Sequence, residues 1–138
     1  MKKIVVFGLL ALSIIAITPA CGGKGKDDPK PCSETAMIVS TDPANGSTQA
    51  PGIGPNFTLT VNITANLPSA GVEIKVTAAP EAGGAAFYTQ TLSDVKTNVS
   101  TFTITNTPAT TASKVDITVT SKGCNTNKWT GSYRYSKK

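Results

Sequence analysis

Residues 56–66 read NFTLTVNITAN. Phe57, Leu59, Val61, Ile63 and Ala65 fall on one side of an extended chain, and Thr58, Thr60, Asn62 and Thr64 fall on the other. That period of two belongs to a strand with one buried and one solvated face. Threonine is stiff at χ1 and suits the solvated side of a pleated surface, so the polar half of the pattern argues for a strand as much as the apolar half does. The alternation recurs in three further stretches. Val72, Ile74 and Val76 oppose Glu73, Lys75 and Thr77; Phe102 and Ile104 oppose Thr101, Thr103 and Thr105; Val115, Ile117 and Val119 oppose Asp116, Thr118 and Thr120.

Three weaker strands are expected at 36–40, 86–92 and 128–135, with Trp129, Tyr133 and Tyr135 in phase on the last. Between the strands lie TDPANGS, NLPSAG, APEAGG, NTPATTAS and KGCNTN, whose Pro, Gly, Asn and Asp residues suit turn geometry. Seven short strands with apolar faces to cover predict a two-sheet sandwich, because an open meander would leave those faces in water. From Ala36 to Tyr135 the chain resembles a bacterial immunoglobulin-like or fibronectin-III-like domain, and the opening strand followed by Asp42-Pro43-Ala44-Asn45-Gly46 is similar to the start of many such modules. The resemblance implies an all-β, seven-stranded antiparallel Greek-key sandwich over residues 32–138. It does not extend to antibody hallmarks: the single Trp is Trp129 in the last strand, and the penultimate strand has no tyrosine corner.

The chain opens MKKIVVFGLLALSIIAITPAC. Lys2 and Lys3 precede an apolar run from Ile4 to Ile17, and Thr18-Pro19-Ala20 lies before Cys21, which reads as a secretory signal peptide over residues 1–20. The run falls short of the roughly 20 apolar residues that a spanning helix needs. Two cleavages fit. Ordinary signal peptidase would leave Cys21 as a thiol. The stretch also resembles the bacterial lipobox, with Thr18 where lipoboxes usually carry Leu, and that resemblance implies that Cys21 is lipidated and anchors the chain in the outer membrane. Residues 21–31 carry Gly, Lys, Asp and Pro without a large apolar side chain and are expected to be a tether. Lys24-Gly25-Lys26-Asp27-Asp28 is similar to a pattern that sends some Gram-negative lipoproteins to the cell surface; a solvated linker facing the periplasm is the other reading.

The chain has three cysteines. If Cys21 carries lipid, Cys32 and Cys124 remain as a pair, and an exported compartment favours their disulfide over two free thiols. Removing Lys2 and Lys3 lowers the formal charge from +5 to +3, with basic residues scattered among acidic ones, so no nucleic-acid footprint is expected.

Chemistry has little to work with. There is no His, hence no Ser-His or Cys-His pair and no imidazole ligand. Glu73 and Asp116 occupy outward strand positions beside Lys75 and Lys114, where solvated surface charge is the expectation. No loop offers the several oxygens that calcium takes. Catalytic residues, metal ligands and cofactors are therefore expected to be absent. The leading expectation is a non-enzymatic envelope lipoprotein, an immunoglobulin-like module for structural or adhesive display. Two others are kept: an accessory carbohydrate-binding module using Trp129, Tyr133 and Tyr135, and a small partner or inhibitor domain of a secreted enzyme. Core packing is the plainer role for the three aromatics, and the partner, protein or glycan, is not named by the sequence.

Overall fold

The computed structural model describes residues 32–138. The signal peptide, Cys21 and the tether lie outside the described residues. Seven strands form two antiparallel sheets. In the first, β1 (Ile38–Asp42) pairs with β2 (Phe57–Ala65), which pairs with β5 (Val99–Ile104). In the second, β3 (Val72–Pro80) lies between β4 (Tyr88–Val95) and β6 (Ala112–Ser121), and β7 (Lys128–Ser136) flanks β6. Consecutive strands cross between the sheets at β2–β3, β4–β5 and β5–β6, which gives the expected Greek-key sandwich.

The alternation read from the sequence sets the packing. Leu59, Val61 and Ile63 of β2, Val72, Ile74 and Val76 of β3, Phe102 and Ile104 of β5, and Val115, Ile117 and Val119 of β6 are all buried in one core. Their neighbours Thr58, Glu73, Thr101 and Asp116 are exposed. Burying a side chain of this size stabilises by about 1.5–3 kcal/mol relative to leaving it in water, and β2, β3 and β6 supply nine of these eleven positions.

Two strand boundaries move from their expected places. Strand β1 covers 38–42 instead of 36–40 because the backbone at 36–37 is satisfied by side chains: Asn66 donates Nδ2–H to the Ala36 carbonyl at 2.9 Å, and the Met37 amide donates to Asn127 Oδ1 at 3.3 Å. Strand β4 covers 88–95 instead of 86–92, with a register shift opposite Val72 and Ile74 that puts Asp94 at a φ of 59°. A bulge of this kind inserts an extra residue into one strand of the pair, and it breaks the period that the sequence reading relied on.

After β1 the chain does something that the sequence did not announce. Residues 44–52 cross to the second sheet and run parallel to β7. Gly46 N donates to Ser132 O at 2.7 Å, Gln49 N to Arg134 O at 2.8 Å and Gly52 N to Ser136 O at 2.9 Å, while Arg134 N donates to Ser47 O at 2.9 Å. This strap covers the outer edge of β7, which would otherwise offer a row of unpaired backbone groups. The described chain begins at the end of the sandwich that holds the β6–β7 loop, where Cys32 is bonded to Cys124. Its last residues lie at the other end, where Lys137 bridges Gly52 and Ala109.

Candidate functional site

Strand β7 points Trp129, Gly131, Tyr133 and Tyr135 toward the second face of the core. Tyr133 is 2% and Tyr135 4% exposed, with ring centroids 5.9 Å apart. Phe57 from β2 tilts onto Tyr135 at 4.6 Å and 55°, an edge-inclined arrangement that aromatic quadrupoles favour. The Tyr135 hydroxyl is paired with Thr107 Oγ1 at 2.7 Å, whereas the Tyr133 hydroxyl is buried without a partner. Burial pushes both phenols above their ordinary range, offset for Tyr135 by the Thr107 hydrogen bond. Both phenols therefore stay protonated near neutral pH, with only that of Tyr135 hydrogen-bonded.

Trp129 sits apart from this pair. It is half-buried and packs against the core, and its six-membered ring folds back over Gly131, where a Cβ would run into the indole and come within 2.9 Å of Asn45 Oδ1. The absence of a side chain at 131 thus lets both the indole and the strap approach β7. The three aromatics named by the sequence are in phase, but two are core residues and the third lies flat along the strand.

A cavity of about 210 Å³ opens between the strap and the aromatic cluster, lined by Pro43, Gln49, Gly52, Phe57, Tyr133 and Tyr135 among others. Gly52 is a close approach: a Cβ there would lie 2.6 Å from the Phe57 ring. The lining is uncharged, and phenol, amide and hydroxyl are its polar groups. Nothing in the sequence pointed to this cleft, because its outer wall is the strap, whose Gly and Pro residues read only as turn signals.

At the entry end, Cys32 and Cys124 form a disulfide with Cα atoms 5.6 Å apart. Around it the segment 32–37 is fastened to the β6–β7 loop by one side chain. Asn127 accepts from the Met37 amide and donates Nδ2–H to Glu34 Oε2 at 3.0 Å and to the Thr35 carbonyl at 3.2 Å. Asn127 is buried, so each of these bonds replaces water that cannot reach it. The hydroxyl of Thr126 donates to Cys32 Sγ at 3.0 Å. A shallow groove of about 260 Å³ runs along this joint past Glu34, Asn127 and Lys128. The sequence marked the cysteines but gave Asn127 no distinction among the Asn and Thr residues of its loop.

Charged side chains lie on the surface in isolated pairs. Lys114 meets Asp116 and Lys122 meets Asp94, each at 2.7 Å, and Arg134 meets Glu81. The Lys122 hydrogen bond, reinforced by its charge, holds the Asp94 carboxyl below its ordinary value and raises Lys122 in turn. Glu73 stands exposed near the start of β3. Among the described residues no three His, Cys, Asp or Glu side chains gather as a metal site would require. No family model matches the chain, and no curated protein matches it.

Proposed function

We propose that this chain is a non-enzymatic module of a bacterial envelope, an immunoglobulin-like domain held in the outer membrane by lipid on Cys21 and serving structural or adhesive display. The observation that carries the reading is the Cys32–Cys124 disulfide at the end where the tether enters. It closes residues 33–123 into a covalent loop, so a load arriving through the tether meets a bond before it meets a sheet. An oxidising, exported compartment is where such a bond persists. The lipobox-like Cys21 and the scarcity of convergent ionisable groups among the described residues point the same way.

The test is fractionation. The wild-type chain is expected to incorporate a fatty-acid label and enter the detergent phase, and Cys21→Ala is expected to do neither. Equal partitioning of the variant would contradict the anchoring.

A second reading, an accessory glycan-binding module, rests on the uncharged cleft beneath the strap. An open stacking strip would need exposed rings, and Tyr133 and Tyr135 are buried. Binding of a neutral oligosaccharide that is lost in Gln49→Ala, which removes an amide from the lining of the cleft, would favour this reading over display.

A further inference from the structure

Strand β7 lies C-terminal to Cys124, outside the covalent loop, and Asn45 lies inside it. The two are joined by a clasp. Ser132 N donates to Asn45 Oδ1 at 2.8 Å, and Gly46 N donates to Ser132 O at 2.7 Å, across a turn closed by Ser47 N to Ala44 O at 3.0 Å with Gly46 at a φ of 79°. That backbone suits glycine at the third position of a turn. Asn-Gly is also the dipeptide in which the following amide nitrogen has the freest path to the asparagine side chain.

We propose that Asn45-Gly46 is a modification site, a spontaneous deamidation site gated by its clasp to Ser132. In the reaction the Gly46 nitrogen, losing its proton, attacks Asn45 Cγ. A C–N bond forms, the Cγ–Nδ2 bond breaks, and the departing nitrogen leaves as ammonia with that proton. Water then opens the five-membered imide at either carbonyl, giving aspartate or isoaspartate, with no change of oxidation state. The clasp opposes the first step at both atoms. The Gly46 N–H is spent on the Ser132 carbonyl, and the Asn45 side-chain oxygen is held on the Ser132 amide.

Cyclisation therefore proceeds from the state in which β7 and the strap have parted, and it is irreversible. The isoaspartate product carries an extra methylene in the main chain and a new carboxylate, so the turn cannot regain the same pair of bonds to Ser132. The modification thus records that β7 has left the strap. The chemistry stands whether or not the domain serves display.

The experiment follows the mass gain and the isoaspartate content of the peptide containing residues 45–46, in the disulfide-bonded chain held at mildly alkaline pH. The native chain is expected to react at least about tenfold more slowly than the chain in full denaturant, equivalent to an opening free energy of about 1.4 kcal/mol. The reaction should accelerate in parallel with hydrogen exchange of the Gly46 amide as sub-denaturing urea is added, since an event in the open state tracks the open population when reclosing is fast. Gln49→Pro, which removes the neighbouring bond to the Arg134 carbonyl, is expected to raise the native rate several-fold; the urea series stands without it if that variant fails to fold. Equal rates in native and denatured chains, or a native rate indifferent to Gly46 exchange, would overturn the gate. Absence of reaction in denaturant would overturn the site.

Discussion

The segment 32–37 and the strap 44–52 are both extended pieces laid against the C-terminal part of the chain, yet they are held in different ways. The first is fixed by a disulfide, by the three hydrogen bonds of one buried side chain, Asn127, and by exposed bonds from Asn66 and Thr126. The second is fixed by backbone bonds to the edge of β7 and by one exposed side-chain bond from Asn45. Buried polar groups are costly to unpair, whereas exposed backbone bonds exchange readily with water. The entry end is therefore expected to open only with the whole domain, and the strap to open locally.

The largest effect is expected from breaking the covalent half of the contrast. Reduction, or Cys32→Ser with Cys124→Ser, should destabilise by up to about 4.6 kcal/mol on the chain-entropy account of a loop this long. Urea unfolding with and without reductant measures it. A loss no larger than that from opening the strap would erase the distinction between the two segments.

The core comes next. Ile117→Ala should cost about 2–5 kcal/mol, while Thr118→Ala on the outward side of the same strand should stay within about 0.5 kcal/mol. Equal losses in thermal melts would mean that the strand phase is wrong.

A smaller pair sharpens the comparison directly. Asn127→Ala leaves the Met37 amide and the Thr35 carbonyl without their buried partner and should cost about 1–3 kcal/mol. Asn45→Ala, at an exposed bond that water can replace, should cost no more than about 0.5–1 kcal/mol. Denaturant midpoints at constant slope decide the order, and the reverse order would contradict the account of the two fastenings.

The effect of pH is confined to the alkaline side. Burial raises the folded-state values of Tyr133 and Tyr135, and of Tyr88 to a lesser depth, above the value of about 10 in an unfolded chain. A group that keeps its proton longer in the folded state contributes stability that is fully present below the unfolded value and is lost as pH rises toward the folded one. Stability should thus fall from about pH 10 upward, with the phenolate absorbance lagging until the chain unfolds. Phenolate formation at the ordinary pH in a still-folded chain would mean that the tyrosines are open to solvent.

The core was legible because burial imposes a period on the sequence. Leu59, Val61 and Ile63 could be placed from alternation alone, as could Ile117 and its neighbours. The pairing of Cys32 with Cys124 was expected on the condition that Cys21 carries lipid in an oxidising compartment, and the structure joins the two. The strap was not, since backbone hydrogen bonds leave no trace in side-chain type and Gly46 and Gly52 read equally well as loop. Asn127 was missed for a related reason: a buried asparagine that satisfies three backbone and side-chain partners has the same letter as an exposed one in a turn. The bulge at Asp94 and the displaced start of β1 mark places where side chains or local backbone geometry outweighed the period. The cleft under the strap inherits the illegibility of its outer wall.

The most direct test of the account is extension of the domain under force between residue 32 and Lys138. With the disulfide intact, residues 33–123 are outside the path of the load, and only the 14 residues beyond Cys124 can be drawn out, a gain of roughly 50 Å at full extension. In reductant the same pull should release the whole domain, roughly 370 Å. A short step that becomes a long one on reduction is the expected result. A long step in both conditions would contradict the claim that the entry end is built to take the load.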